Sequence, residues 1–181
     1  YCQRRGLAPV AQALRGRPSP LPFVRAPVIR SPRLAAALAG AFAGARDPLA
    51  LDSLVLQLAE GLIEADPGYR RAALPAHLDL AALERARQFL EAERLRVVRS
   101  AELEAVAGLT RYELARQFRL HYATSPYRYL LMRRLAEARR LIAQGRPLAD
   151  LALEVGFADQ AHLTRAFKRA YGLSPGRYRA L

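Results

Sequence analysis

The feature that most constrains this chain is a pattern that it contains twice. The first copy, Leu103 to Tyr129, reads LEAVAGLTRYELARQFRLHYATSPYRY; the second lies within Leu148 to Tyr178, LADLALEVGFADQAHLTRAFKRAYGLSPGRY. At an offset of 48, Leu103 and Gly108 match Leu151 and Gly156. One extra residue in the second turn makes the offset 49. From there Leu114, Arg116, Phe118, Tyr122, Ser125, Pro126, Arg128 and Tyr129 match Leu163, Arg165, Phe167, Tyr171, Ser174, Pro175, Arg177 and Tyr178. Self-similarity of this kind decides the architecture before any single element does. Two copies are too few for a solenoid, so the expectation is a pair of like subdomains.

Each copy reads as a short helix, a glycine turn and a second helix. Leu148, Leu151, Ala152 and Val155 recur at helical spacing. Gly156 follows where a helix end needs a left-handed residue, and Asp159 stands where an oxygen can cap the next helix. Leu163, Phe167 and Tyr171 fall four apart and point inward, leaving Gln160, Thr164, Arg165 and Lys168 outside. In the first copy Ser100 is a candidate cap and Gly108 the turn. Thr110 with Glu113 forms a T-x-x-E capping box, and Leu114, Phe118 and Tyr122 are the anchors. Two helices joined by such a turn make a helix-turn-helix, whose second helix can lie in a DNA major groove.

Between the copies, Ser125-Pro126 opens a long helix expected over 126–143, stopped by Gly145 and Pro147. At ~1.5 Å per residue it spans roughly 28 Å. Major grooves on one face of a duplex recur every ~34 Å. Leu130, Leu131, Leu135, Ala138, Leu141 and Ile142 supply packing surface along it. Arg133, Arg134, Arg139 and Arg140 fill the remainder, read as a solvated face for at least half of them.

At this point GFADQAHLTRAFKRAYGLSPGRYR resembles the signature of the AraC/XylS family of bacterial transcription regulators, and RRLAEARRLI resembles that family's linker helix. The likeness covers roughly His77 to Leu181. It implies two helix-turn-helix units set in neighbouring major grooves of promoter DNA, RNA polymerase as a further partner, and a cytoplasmic protein. The stretch LPFVRAPVIRSPRLAAAL resembles the junction where the family's effector-binding barrel ends. A small-molecule effector would then be bound by a region missing from this chain.

The fold expected is all-α: two helix-turn-helix subdomains (about 100–122 and 148–171) on one linker helix, preceded by a helical hairpin and an irregular N-terminal segment. Residues 1–75 are read as a remnant of an effector-binding and dimerisation domain, and 76–181 as the DNA-binding domain. Five prolines between Pro18 and Pro32 make 1–32 extended, apart from a helical turn near Leu7 to Leu14. Phe23, Val24, Val28 and Ile29 would form a strand or a tail laid on another surface. Residues 33–65 form the hairpin, with Asp47-Pro48 starting its second helix. Leu51, Leu54, Val55, Leu58, Leu62 and Ile63 give that helix a broad apolar face. This face is either a homodimer interface or packs within the chain; the reading leans to the dimer. Residues 66–79 are a linker, and a helix from Leu80 to Ala92 opens the DNA-binding region.

Charge agrees with a polyanion partner. The net charge is +13 and the sequence pI about 11.0, enough to raise affinity for nucleic acid before any base is read. The excess is nearly even, +6 over residues 1–99 and +7 over 100–181, so position carries the argument. On the first recognition helix, Arg116 is the candidate for a guanine edge and Tyr112 for a thymine methyl or sugar. Arg111 and Arg119 are candidates for phosphate contacts, which position without specifying. On the second, Gln160 suits adenine, Arg165 guanine, Thr164 a base or phosphate, and Lys168 a phosphate.

Other functions find little support. The single cysteine, Cys2, excludes a disulfide within the chain. The three histidines, His77, His121 and His162, are dispersed, and no H-E-x-x-H, phosphate loop or nucleophile motif is present. No catalytic residue, cofactor or metal is expected. No apolar run reaches the ~20 residues of a membrane span. Chain start at Tyr1, with Met132 the sole methionine, suggests a portion of a longer protein. The alternative to a DNA reader is a helical interaction module using residues 33–65.

Overall fold

Phe118 and Phe167, both fully buried, are the two points around which the helices gather. The computed structural model describes residue 10 and residues 30–42, 47–65 and 78–180. Among these residues the regular structure is helical, with no strand. The helices are α1 (Pro32–Phe42), α2 (Pro48–Glu64), α3 (Leu80–Ala92), α4 (Ser100–Ala107), α5 (Arg111–Tyr122), α6 (Pro126–Ala143), α7 (Leu148–Glu154), α8 (Gln160–Tyr171) and α9 (Pro175–Arg179).

Local chemistry sets the starts and stops. Asp47, Asp79, Thr110, Ser125, Asp159 and Ser174 each accept a backbone N–H of the first turn that follows them, satisfying donors a helix cannot satisfy itself. Thr110 and Glu113 close the expected box, Glu113 N–H donating to Thr110 Oγ1 and Thr110 N–H to Glu113 Oε2. Ser100 behaves differently from the expectation. The helix begins on it, Arg99 is the capping position, and the Ser100 hydroxyl donates to Asp52 of α2. The turn glycines 108 and 156 take φ of 72° and 81°. At the end of α5 Ala123 takes φ 56°, where the second copy has Gly172 at 79°.

Two separate cores result. The first joins α3, α4, α5 and the start of α6 through Leu83, Leu90, Leu103, Leu114, Phe118 and Leu130. The second joins the rest of α6 to α7 and α8 through Leu135, Ile142, Leu151, Phe157, Leu163 and Phe167. The duplication is visible as geometry. Phe118 lies 4.5 Å from Tyr122 at 49° and 5.8 Å from Tyr129 at 73°. Phe167 lies 4.5 Å from Tyr171 at 55° and 5.6 Å from Tyr178 at 65°. Such tilted and edge-on pairs are favoured by the ring quadrupoles. With one end of α6 in each core, α5 and α8 both pack against a single 18-residue rod, roughly 27 Å long.

Three of the four arginines singled out on α6, Arg133, Arg139 and Arg140, are exposed as expected of a solvated face, though each has a neighbour. Arg133 pairs with Glu91 at 2.8 Å and Arg140 with Glu137 at 2.6 Å, while Arg139 lies over the Tyr171 ring. Arg134 departs furthest from a solvated face, at 1% exposure. It donates to the carbonyls of Arg94 (2.8 Å) and Arg96 (2.6 Å) and to Asp47 Oδ2 (3.0 Å).

The hairpin is present as α1 packed antiparallel on α2; Leu34 fills the space beside Gly61, and Leu38, Leu58 and Leu62 line a groove between them. Of the expected apolar face of α2 only Ile63 is among the deeply buried residues. Leu49, Ser53, Leu56, Ala59 and Ile63 are buried and Leu51 is exposed. Small residues at 53 and 59 let this side approach α4, α5 and α6 closely. Within the proline-rich start, Val10 has helical backbone and is buried against Leu56, Ala59 and Ala115. Phe23, Val24, Val28, Ile29 and most of the 66–79 linker lie outside the described residues.

Candidate nucleic-acid interface

On α8 the inward anchors are Leu163 and Phe167, both buried, and Tyr171 continues that side. Their spacing turns Gln160, Arg165 and Lys168 outward, all exposed, with Thr164 half-buried beside them. Asp159 holds the start of the helix by accepting from His162 N–H at 2.6 Å. His162 is set edge-on to Phe157, with ring centroids 5.1 Å apart, and its Nδ1 is buried without a hydrogen-bond partner. Burial pushes this imidazole below its ordinary range, against the opposing pull of Asp159 and Asp47. Its place is thus under the helix, as a support for the exposed face.

On α5 Leu114 and Phe118 play the same inward role, but the outward side is occupied. Arg111 donates to Asp52 Oδ1 at 3.2 Å and is also bonded to Glu104 of α4. Tyr112 packs with Val55 on a small apolar cluster of Val10, Leu56, Ala59 and Ala115, and burial raises its phenol above the usual range. Arg119 bonds both oxygens of Glu60, at 2.5 and 2.6 Å. Arg116 is half-buried on the same helix.

Seven of the eight residues singled out from sequence fall into two groups, and the eighth, Arg116, is half-buried on α5. Gln160, Thr164, Arg165 and Lys168 share one accessible face at the far end of the rod. Arg111, Tyr112 and Arg119 share one face of α5, against which α2 lies. Sequence reasoning overlooked Asp52 and Glu60. A signal for them exists: Asp52, Leu56 and Glu60 follow at four-residue steps, as do Arg111, Ala115 and Arg119, so acid, apolar, acid meets base, small, base.

Among the described residues, no group of three or more His, Cys, Asp or Glu side chains could hold a metal ion. No helix among them is long and apolar enough to cross a membrane.

Comparison with known proteins addresses the same region. Residues 103–181 match the family profile described as a helix-turn-helix domain. The chain is 35% identical over 91 residues to a protein of Photobacterium leiognathi named as probable transcriptional regulator LumQ, covering 50% of this chain and 37% of that one. It is 34% identical over 79 residues to the HTH-type transcriptional regulator MtrA of Neisseria gonorrhoeae, covering 43% and 26%. The chain thus spans little more than a third of these relatives' length, or less. A solved structure from Chromobacterium violaceum, a transcriptional regulator with an AraC-type DNA-binding domain, superposes with a TM-score of 0.51 at 25% identity, covering 56% of this chain and 91% of that one. With the duplicated cores and the shared rod, these likenesses make residues 103–181 a helix-turn-helix domain similar to AraC-type DNA-binding domains.

Proposed function

We propose that this chain is a sequence-specific, DNA-binding transcription regulator that sets α5 and α8 into neighbouring major grooves of promoter DNA. The observation that carries this reading is the same aromatic clamp at both ends of one helix, each clamp fixing a helix whose outer side is polar and basic. A rod of roughly 27 Å is comparable to the ~34 Å at which grooves recur on one face of a duplex.

In this reading Gln160, Thr164 and Arg165 on α8, and Tyr112 and Arg116 on α5, contact bases. Arg165 and Arg116 suit the two acceptors of guanine, and Gln160 the donor–acceptor pair of adenine. Lys168, Arg111 and Arg119 hold phosphates. The chain acts by binding and carries out no catalysis. Residues 1–75 belong to a sensing and pairing domain, the α1–α2 groove is the surface for a second copy, and a small-molecule effector binds outside this chain. RNA polymerase is the further partner, and the cytoplasm the setting.

Selection of bound sequences from a random duplex pool is the test. The expected product is an asymmetric site of about two helical turns. Arg165→Ala should lose ~1–3 kcal/mol on that site and relax preference at one base pair. Equal weakening on every sequence would overturn its role as a reader.

A further inference from the structure

The outer side of α5 carries Arg111, Ala115 and Arg119 at four-residue steps, the side that the reading above gives to DNA. In the structure it is met by Asp52, Leu56 and Glu60 of α2. Asp52 reaches Arg111 (3.2 Å), Leu56 and Ala115 share one buried cluster, and Glu60 grips Arg119 with both oxygens. The two ladders run in the same direction. Neighbouring rungs on each helix are roughly 6 Å apart along the axis. Both carboxylates are largely withdrawn from water, the side chains 25% and 15% exposed for Asp52 and Glu60. Each therefore stands as an anionic oxygen pair in front of a cation suited to a phosphate. The apolar rung covers Ala115 and Tyr112, where base edges would have to come. Among the described residues nothing comparable lies over α8, whose Gln160, Arg165 and Lys168 are exposed.

We infer that α2 masks the first recognition helix, Asp52 and Glu60 standing in for backbone phosphates, so that α8 engages DNA first and α5 only after α2 is displaced. This rests on the reading of α5 as a DNA-binding helix. Phosphates compete for the same two arginines, so duplex already held by α8 is the natural displacing agent. The mask is sized to yield. The arginine side of each pair stays partly exposed, 39% for Arg111 and 32% for Arg119, which leaves phosphates a way in, and burial raises the Asp52 carboxyl in spite of Arg111 beside it.

The test uses the full chain and a random-sequence duplex of about four turns, with affinity measured across salt concentrations. Asp52→Asn combined with Glu60→Gln should bind about tenfold tighter than the parent. It should also steepen the salt dependence by about one to two counterions, since Arg119 is released while Arg111 keeps its bonds to Glu104. Hydrogen exchange of residues 48–64 in the DNA-free variant should quicken. Removing two acids raises the net charge, so Glu93→Gln with Glu137→Gln, far from the ladder, is the matched control. Equal tightening by the control overturns the mask, as does an unchanged affinity and slope in the Asp52/Glu60 variant. Should that variant not accumulate, Glu60→Gln alone, expected to give about threefold, decides the matter in the same way. Lys168→Ala on α8 separates the two readings. If it weakens binding while the ladder variant changes nothing, the mask falls and DNA binding stands. If neither moves binding, both fall.

Discussion

Arg134 is buried with each nitrogen of its guanidinium committed: two to the carbonyls of Arg94 and Arg96, one to Asp47. These carbonyls follow the end of α3, and Asp47 caps α2, so one side chain ties three segments together. Arg134→Ala would leave the Asp47 charge buried without a partner and should cost ~3–5 kcal/mol, read from urea unfolding. Loss of less than about 1 kcal/mol would reduce it to an ordinary surface pair. Gly156 is part of the same assembly. A Cβ there would stand 2.8 Å from Arg134 Nε and 3.0 Å from the Arg94 carbonyl, and its φ is 81°. From sequence Gly156 was legible as a helix stop, because glycine tolerance is local. Arg134 was not, because periodicity sorts an arginine to the outside. Only the folded chain brings three acceptors around it.

At the scale of elements, helix ends were the most legible feature, and for the same reason. A cap is a bond between residues two or three apart, so Asp47, Thr110, Ser125, Asp159 and Ser174 announce themselves. The hairpin too was read as two helices, but the side that α2 buries was not. A leucine stripe signals burial in general, whereas Ser53 and Ala59 signal close approach only once a partner helix is known. On α8 the element's stability should depend on pH through His162. Burial lowers its folded pKa, so the unfolded chain takes up a proton more readily. The contribution is complete above the ordinary imidazole value near ~6.5 and is lost as pH falls from there through the lowered folded value. Thermal melts at pH 5.5 should lie about 2–4 °C below those at pH 7.5, and His162→Leu should remove most of that difference. A pH dependence undiminished in the variant would assign the effect elsewhere.

For the whole molecule, the repeat made the architecture legible, since a duplicated sequence with one connecting helix leaves few arrangements. The two cores share α6 but not a single buried cluster. Phe118→Ala and Phe167→Ala should each cost ~3–5 kcal/mol. Their sum should match the double variant within about 0.5 kcal/mol, by denaturant unfolding. A larger coupling would mean that the cores form one cooperative body. On the proposed reading, the continuous rod also constrains the DNA. A stiff spacer measures rotation as well as distance. Adding half a helical turn of base pairs between the two bound segments would swing the second onto the opposite face of the duplex, beyond reach of α8. Adding a full turn would restore the face and still leave the gap too wide. If α5 and α8 bind as proposed, their two segments of duplex are fixed in phase, and a change of length between them is tolerated less than a change of sequence.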